Sequence, residues 1–175
     1  FLLWEKWEYT IKEYEPIYRK EYGIKHSPDS LDNSASVSTC VGIKAPGEIV
    51  ILVNGYGVIG SKVAGAARRC GFNVVVSDIK REAIEVAKRK GFEHCYGSVE
   101  EALAKERIDV IVDCTTPGKG VKMKKIYGDY RVIYQGGEAF EVAELNFAQA
   151  ISDYREVAGK RQIRVVTCNT SAMCN

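Results

Sequence analysis

Residues 48–78 read EIVILVNGYGVIGSKVAGAARRCGFNVVVSD, and this stretch decides the fold. An apolar run over 49–53 ends at Asn54, glycines follow at 55, 57 and 60, and a segment of small residues continues to Gly71. A second apolar run, 74–76, closes on Ser77 and Asp78. Short apolar runs bounded by turn residues read as strands buried on both faces. The segment between them has the composition of a helix, and Gly71 stands where a C-terminal cap belongs. Strand, helix and strand in about 30 residues make one βαβ unit.

The alternation continues outward. IKREAIEVAKRKG (79–91) is helical, FEHCY (92–96) is a short strand, and SVEEALAKERI (98–108) opens with Ser98 and Glu101 at the spacing of a capping box. DVIVDC (109–114), RVIYQ (131–135) and IRVVTC (163–168) complete six strand candidates, and about 138–158 between the last two reads as a helix. This predicts the α/β class: a doubly wound, Rossmann-type, mostly parallel sheet.

Before this region the pattern is different. Residues 1–24 place Trp4, Trp7, Ile11, Tyr14 and Tyr18 three and four apart, an aromatic stripe on one helical face, with Pro16 as a kink or break. Residues 25–47 are rich in Ser, Asp and Asn and read as a linker. The expected organisation is an amphipathic extension over 1–24, a linker over 25–47 and a dinucleotide-binding domain over 48–175.

Composition limits the function classes. With 175 residues, 46% apolar and 27% charged, the chain can bury one ordinary domain core plus an additional segment. A net charge of +2 gives no electrostatic case for a nucleic-acid partner, and no apolar run reaches the roughly 18–20 residues of a membrane span. The six cysteines, at 40, 70, 95, 114, 168 and 174, follow no visible signal peptide and fall partly in strand and helix patterns, which suggests reduced thiols and a cytoplasmic setting. No metal site is expected: there is no Cys-x-x-Cys pair, and His26 and His94 are far apart.

Gly55, Gly57 and Gly60 form G-x-G-x-x-G directly after the first strand. In that context Gly55 permits the turn, Gly57 lets backbone approach a pyrophosphate, and Gly60 lets the helix pack close to the sheet. Asp78, 18 residues beyond Gly60, can accept the ribose hydroxyls of NAD and would repel the extra phosphate of NADP. Alternatively it caps the following helix, with Lys80 and Arg81 free to reach a 2′-phosphate. NAD is favoured over NADP.

IRVVTC delivers Cys168 to the same sheet edge, at a junction where strand gives way to the helix-capping Asn169, Thr170 and Ser171. Unpaired backbone N–H groups there favour thiolate, so Cys168 is the candidate nucleophile, suited to forming a thiohemiacetal with an aldehyde. Its thiol is expected to alkylate faster than the other five.

VNGYGVIGSKVA, VDCTTPGKG, VIYQGGE and VVTCNTSAMC, in that order, resemble the archaeal-type phosphorylating glyceraldehyde-3-phosphate dehydrogenases over about residues 49–175. The resemblance implies oxidation of D-glyceraldehyde 3-phosphate to 1,3-bisphosphoglycerate with NAD or NADP and inorganic phosphate, in a homotetramer when full length. It implies that Cys168 is the active-site residue, that Thr167 and Asn169 border the substrate, and that Val58, Ile59 and Gly136 contact the cofactor, the first two through backbone. Where the family usually has threonine this chain has Val58, which removes a hydroxyl contact. The family's histidine position and second domain have no counterpart in these residues, so the chain reads as a piece of a longer product, expected to bind dinucleotide without turning over. Two alternatives stay open: an aspartate-semialdehyde-type reductase, and a non-catalytic dinucleotide-sensing module.

Overall fold

The computed structural model describes residues 44–135, 137–148 and 152–167. The aromatic extension, most of the linker, Gly136, Cys168 and Asn169 lie outside the described residues.

Seven parallel strands form one sheet: β1 (Val50–Asn54), β2 (Asn73–Ser77), β3 (Cys95–Tyr96), β4 (Val110–Asp113), β5 (Arg131–Tyr134), β6 (Leu145–Phe147) and β7 (Gln162–Val165). Their order is β3-β2-β1-β4-β5-β7-β6, and every neighbouring pair runs parallel. The crossover helices are α1 (Val58–Arg69), α2 (Arg81–Arg89), α3 (Val99–Lys105) and α4 (Gly120–Tyr127).

Strand alternation sorts the apolar runs into two cores, one on each face. Leu52 is in register with Val75 and Ile111, and Ile111 with Val132, so one row of side chains crosses four strands. All four are buried, together with Val99, Ala102 and Tyr127. The next residues, Val53 and Val76, face the other way, onto Ala64 of α1 and Ile84 and Ala87 of α2. Each such aliphatic side chain contributes about 1.5–3 kcal/mol on burial.

Helices α1 and α2 end in the same way. Gly71 and Gly91 take positive φ of 83° and 79°. The Phe72 N–H donates to the Ala67 carbonyl at 3.1 Å and the Phe92 N–H to the Ala87 carbonyl at 3.2 Å, which is the Schellman closure. At the start of α3 the Ser98 hydroxyl accepts from the Glu101 N–H at 3.1 Å. The box closes one residue further back than its spacing predicts: the Glu101 carboxylate accepts from the Gly97 N–H at 3.3 Å.

The helix expected over 138–158 is not formed by the described residues of that span. They make a 3-10 turn (Phe140–Val142), the strand β6 and a second 3-10 turn (Tyr154–Val157). Val142 and Phe147 are buried while Phe140 is exposed, a pattern that no single helical face produces. Pairing with β7 makes Leu145–Phe147 a seventh strand, so the six expected strands are one too few.

Candidate dinucleotide site

β2 and β3 extend the sheet on one side of β1, and β4 and β5 extend it on the other. At such a reversal the crossovers leave a crevice at the carboxyl ends of the strands. The glycine loop begins there, directly after Asn54. Gly55 has φ +94°, and its N–H donates to the Ser77 carbonyl at 2.8 Å.

The three glycines answer to different constraints. A Cβ on Gly55 would stand 2.7 Å from the Cys114 carbonyl oxygen, and one on Gly60 only 1.8 Å from the Gly55 oxygen. Both are dictated by the protein's own backbone. A Cβ on Gly57 would meet no atom within 4 Å, and its φ of −80° is open to any residue. Nothing in the described chain therefore requires glycine at position 57, whereas a ligand lying against that backbone would.

Tyr56 is buried, edge-on to Phe92 with ring centroids 5.7 Å apart. Its N–H donates to Asp78 Oδ2 at 2.6 Å. Asp78 Oδ1 accepts from the Lys80 N–H at 2.8 Å. Asp78 thus fastens the glycine loop to the connection between β2 and α2; the N-cap of α2 is Lys80, so Asp78 does not cap that helix. Val58 and Ile59 sit in the first turn of α1 with exposed side chains. Thr167 follows the end of β7 on the same carboxyl edge, two strands beyond β4.

Beneath the loop is a buried polar layer. The Ser77 hydroxyl donates to Asn54 Oδ1 at 2.9 Å, and Asn54 Nδ2 donates to the Tyr127 hydroxyl at 2.7 Å. Asp113 Oδ1 accepts from the Thr115 N–H at 2.9 Å and its hydroxyl at 2.6 Å. Burial, with the Asp113 carboxylate nearby, raises the pKa of Tyr127 and pushes the Cys114 thiol up to about 12. Cys114 is therefore a thiol at neutral pH, although it borders the crevice.

The crevice encloses about 340 Å³. Asp78, Ile79, Lys80 and Ala83 form one wall; Thr115, Thr116 and Lys119 with Met123 and Ile126 of α4 form the other. An apolar slot with polar groups at its rim suits a flat heterocycle joined to a sugar. Of the residues expected from the sequence, Gly55, Gly57 and Asp78 line this crevice and Val58, Ile59 and Gly60 stand beside it at the start of α1; none of the expected residues lies on the second wall. Its signal was present in TTPGKG, a turn-rich stretch just after a strand. Glu138, also unassigned, is buried and accepts from the Gly120 N–H at 2.8 Å. Among the described residues no cluster of His, Cys, Asp or Glu could hold a metal ion, and no helix is long and apolar enough to cross a membrane.

The sheet, its order and the glycine loop define a Rossmann-type fold. No family model matches the chain. Its relatives include glyceraldehyde-3-phosphate dehydrogenase 2 of Methanosarcina barkeri, 36% identical over 149 residues, which cover 71% of this chain and 42% of that protein. Glyceraldehyde-3-phosphate dehydrogenase of Hyperthermus butylicus is 34% identical over 143 residues, covering 69% of this chain and 40% of that one. Among solved structures, the WlbA dehydrogenase of Bordetella pertussis in complex with NADH and UDP-GlcNAcA is similar over 50% of this chain and 29% of that one, at 22% identity and a TM-score of 0.46. The chain is a homologue of the archaeal glyceraldehyde-3-phosphate dehydrogenases, matching their N-terminal part. It spans about two fifths of the length of these relatives.

Proposed function

We propose that this chain forms the dinucleotide-binding part of a phosphorylating glyceraldehyde-3-phosphate dehydrogenase and prefers NAD to NADP. The observation that carries dinucleotide binding is Gly57, the one loop glycine whose missing side chain no neighbouring atom explains. Homology to the archaeal enzymes supports the reaction, oxidation of D-glyceraldehyde 3-phosphate to 1,3-bisphosphoglycerate.

The residues present fit the cofactor. The backbone of Gly55, Gly57, Val58, Ile59 and Gly60 would hold the pyrophosphate at the start of α1, where N–H groups and the helix dipole favour an anion. The oxygens of Asp78 already accept backbone N–H groups, which aims the carboxylate, and each has lone-pair capacity left for a ribose hydroxyl. Its charge opposes a 2′-phosphate, which supports NAD, while Lys80 is the nearest basic residue on that wall. When bound, the nicotinamide supplies a hydride acceptor. By the resemblance, Cys168 would add to the aldehyde carbon of the substrate to give a thiohemiacetal, Thr167 and Asn169 would border the substrate and Gly136 would contact the cofactor. Once that carbon has lost its hydride to the oxidised cofactor and its hydroxyl proton to solvent, the acyl group left on sulfur would pass to inorganic phosphate, which frees the thiolate.

Calorimetric titration of the 175-residue chain with NADH and NADPH tests the first part. Binding of NADH several-fold tighter than NADPH is expected; absence of both would sink the dinucleotide reading. Aldehyde-dependent reduction of NAD, assayed with and without phosphate, tests the second, and the chain by itself is expected to show none.

A further inference from the structure

We infer that Glu138 is a positioning residue that holds the two halves of the dinucleotide site at a fixed spacing, an inference resting on the dinucleotide reading above. The observation behind it is that one residue is tied both to the start of α4, a helix that lines the crevice, and to β7, the strand that leads to Thr167. Its carboxylate is buried and accepts from the N–H of Gly120, the first residue of α4. The fit is tight, because a Cβ on Gly120 would lie 2.6 Å from Glu138 Oε2. Next to it Gly137, at φ +102°, packs so closely on Pro117 that a Cβ would be 2.9 Å from the proline ring. Both contacts press the turn after β5 onto the segment that leads from the second crevice wall into α4.

On its other side the Glu138 carbonyl accepts from Arg164 Nε at 2.8 Å. Arg164 lies in β7, three residues before Thr167, and its Nη1 donates to Asn146 Oδ1 of β6 at 2.9 Å. Glu138 therefore links the wall of the adenosine crevice to the strand that runs toward the proposed nucleophile. Gly136, the proposed nicotinamide-end contact, is two residues away along the chain. A buried carboxylate accepting a backbone N–H is a strong, geometrically defined tie.

The adenosine side has its own anchor. Thr115 is fastened to Asp113 through both its N–H and its hydroxyl, independently of Glu138. Losing Glu138 should therefore leave that half in place and loosen its spacing from the other half. A ligand that spans both halves should suffer, whereas one confined to the first should not. A merely structural glutamate would weaken both ligands together.

The test is calorimetric titration of the full chain with NADH, which spans both halves, and with ADP, which occupies the adenosine and pyrophosphate positions alone. Glu138→Ala is expected to weaken NADH about tenfold while ADP stays within about twofold. Glu138→Gln, whose amide oxygen can still accept from Gly120, is expected to restore NADH to within about threefold. Should the alanine variant fail to fold, Glu138→Asp, one methylene short of Gly120, is read in the same way and should show the same selective loss. Equal loss of NADH and ADP, or a glutamine variant as weak as alanine, overturns the positioning role and leaves dinucleotide binding standing. Wild-type chain that binds neither ligand overturns both.

Discussion

The two halves of the sheet are built by different means. From β1 to β3 the crossovers are helices of 12 and 9 residues, closed by matching Gly-Phe caps and seated on small residues such as Ala64 and Ala87. Beyond β5 the described chain has no α-helix; it returns through 3-10 turns and the edge strand β6. There the connections are side-chain ties: Glu138 to Gly120, Arg164 to Asn146, and Lys124 Nζ to the Val142 carbonyl at 3.0 Å. Both halves carry polar side-chain ties between distant residues, such as Ser77 to Asn54 in the first; what differs is that the first also has α-helical crossovers closed by local backbone caps, and the described chain beyond β5 has none.

Glycine substitutions give the sharpest test and the largest effect. Gly60→Ala forces a methyl against the Gly55 carbonyl, where only 1.8 Å is available, and neither partner is a flexible side chain. Backbone overpacking of this kind should cost about 3 kcal/mol or more, read as a lower denaturant midpoint. Gly57→Ala adds the same methyl to open space, so stability should change by less than about 0.5 kcal/mol. NADH affinity should nevertheless fall about tenfold. If Gly57→Ala binds NADH like the wild type, no close ligand explains that glycine.

The same division decides what could be read from the sequence. EIVILVNGYGVIG announces itself because every signal in it is local: the apolar run is the strand, and the glycines are the turn. Asp78 was recognisable as a site residue by its distance from Gly60, but its bond to the Tyr56 N–H was not, since that bond depends on how the loop folds back over β2. The error over 138–158 has the opposite origin. EAFEVAEL is rich in helix-forming residues, yet Leu145 and Phe147 take part in an edge strand because β7 offers a free edge in register. Tertiary pairing outweighs propensity there. Cys168 and Asn169, read as nucleophile and neighbour, lie outside the described residues, so their placement stays with the sequence.

Arg164→Ala tests whether the second half does depend on side chains. The change removes the bonds to the Glu138 carbonyl and to Asn146, each to a cation in a half-buried position. A loss of about 2 kcal/mol is expected, in the range for hydrogen bonds to charged groups. The amides of the β6–β7 ladder, such as Val166, which donates to Phe147, should exchange faster, while those of β1 and β2 keep their protection. Uniform loss of protection over all seven strands would mean that the sheet does not divide in this way.

At the crossover from β3 to β4 the corresponding test is a cap. Ser98→Ala deletes the acceptor for the Glu101 N–H at the start of α3. About 1 kcal/mol should be lost. Ser98→Asp, which preserves the acceptor and places negative charge at the helix start, should recover most of it. Equal loss in both variants would show that the cap contributes nothing local.

The smallest effect concerns the joint between the halves, where β1 meets β4. Asp109 precedes β4; it accepts from Lys44 Nζ, and its Oδ2 accepts from the Val50 N–H at 3.0 Å. The Lys44 bond first, and then that backbone bond, hold its carboxyl below the usual aspartate range. A carboxyl with a depressed folded pKa stabilises above the unfolded value of about 3.9 and loses that contribution as pH falls through the folded value. Lys44 and Asp109 are both partly exposed, so solvent screening keeps the pair below about 1 kcal/mol. Asp109→Asn retains an oxygen for Val50 and gives up the charge, so it should be slightly less stable at pH 7 and show a flatter decline below about pH 4. Urea midpoints of both proteins from pH 7 down to pH 3 measure this. Parallel decline of the two curves would mean that the acid sensitivity of this joint arises from another carboxyl, and that β1 and β4 are held by their backbone ladder and apolar packing without help from the Lys44–Asp109 pair.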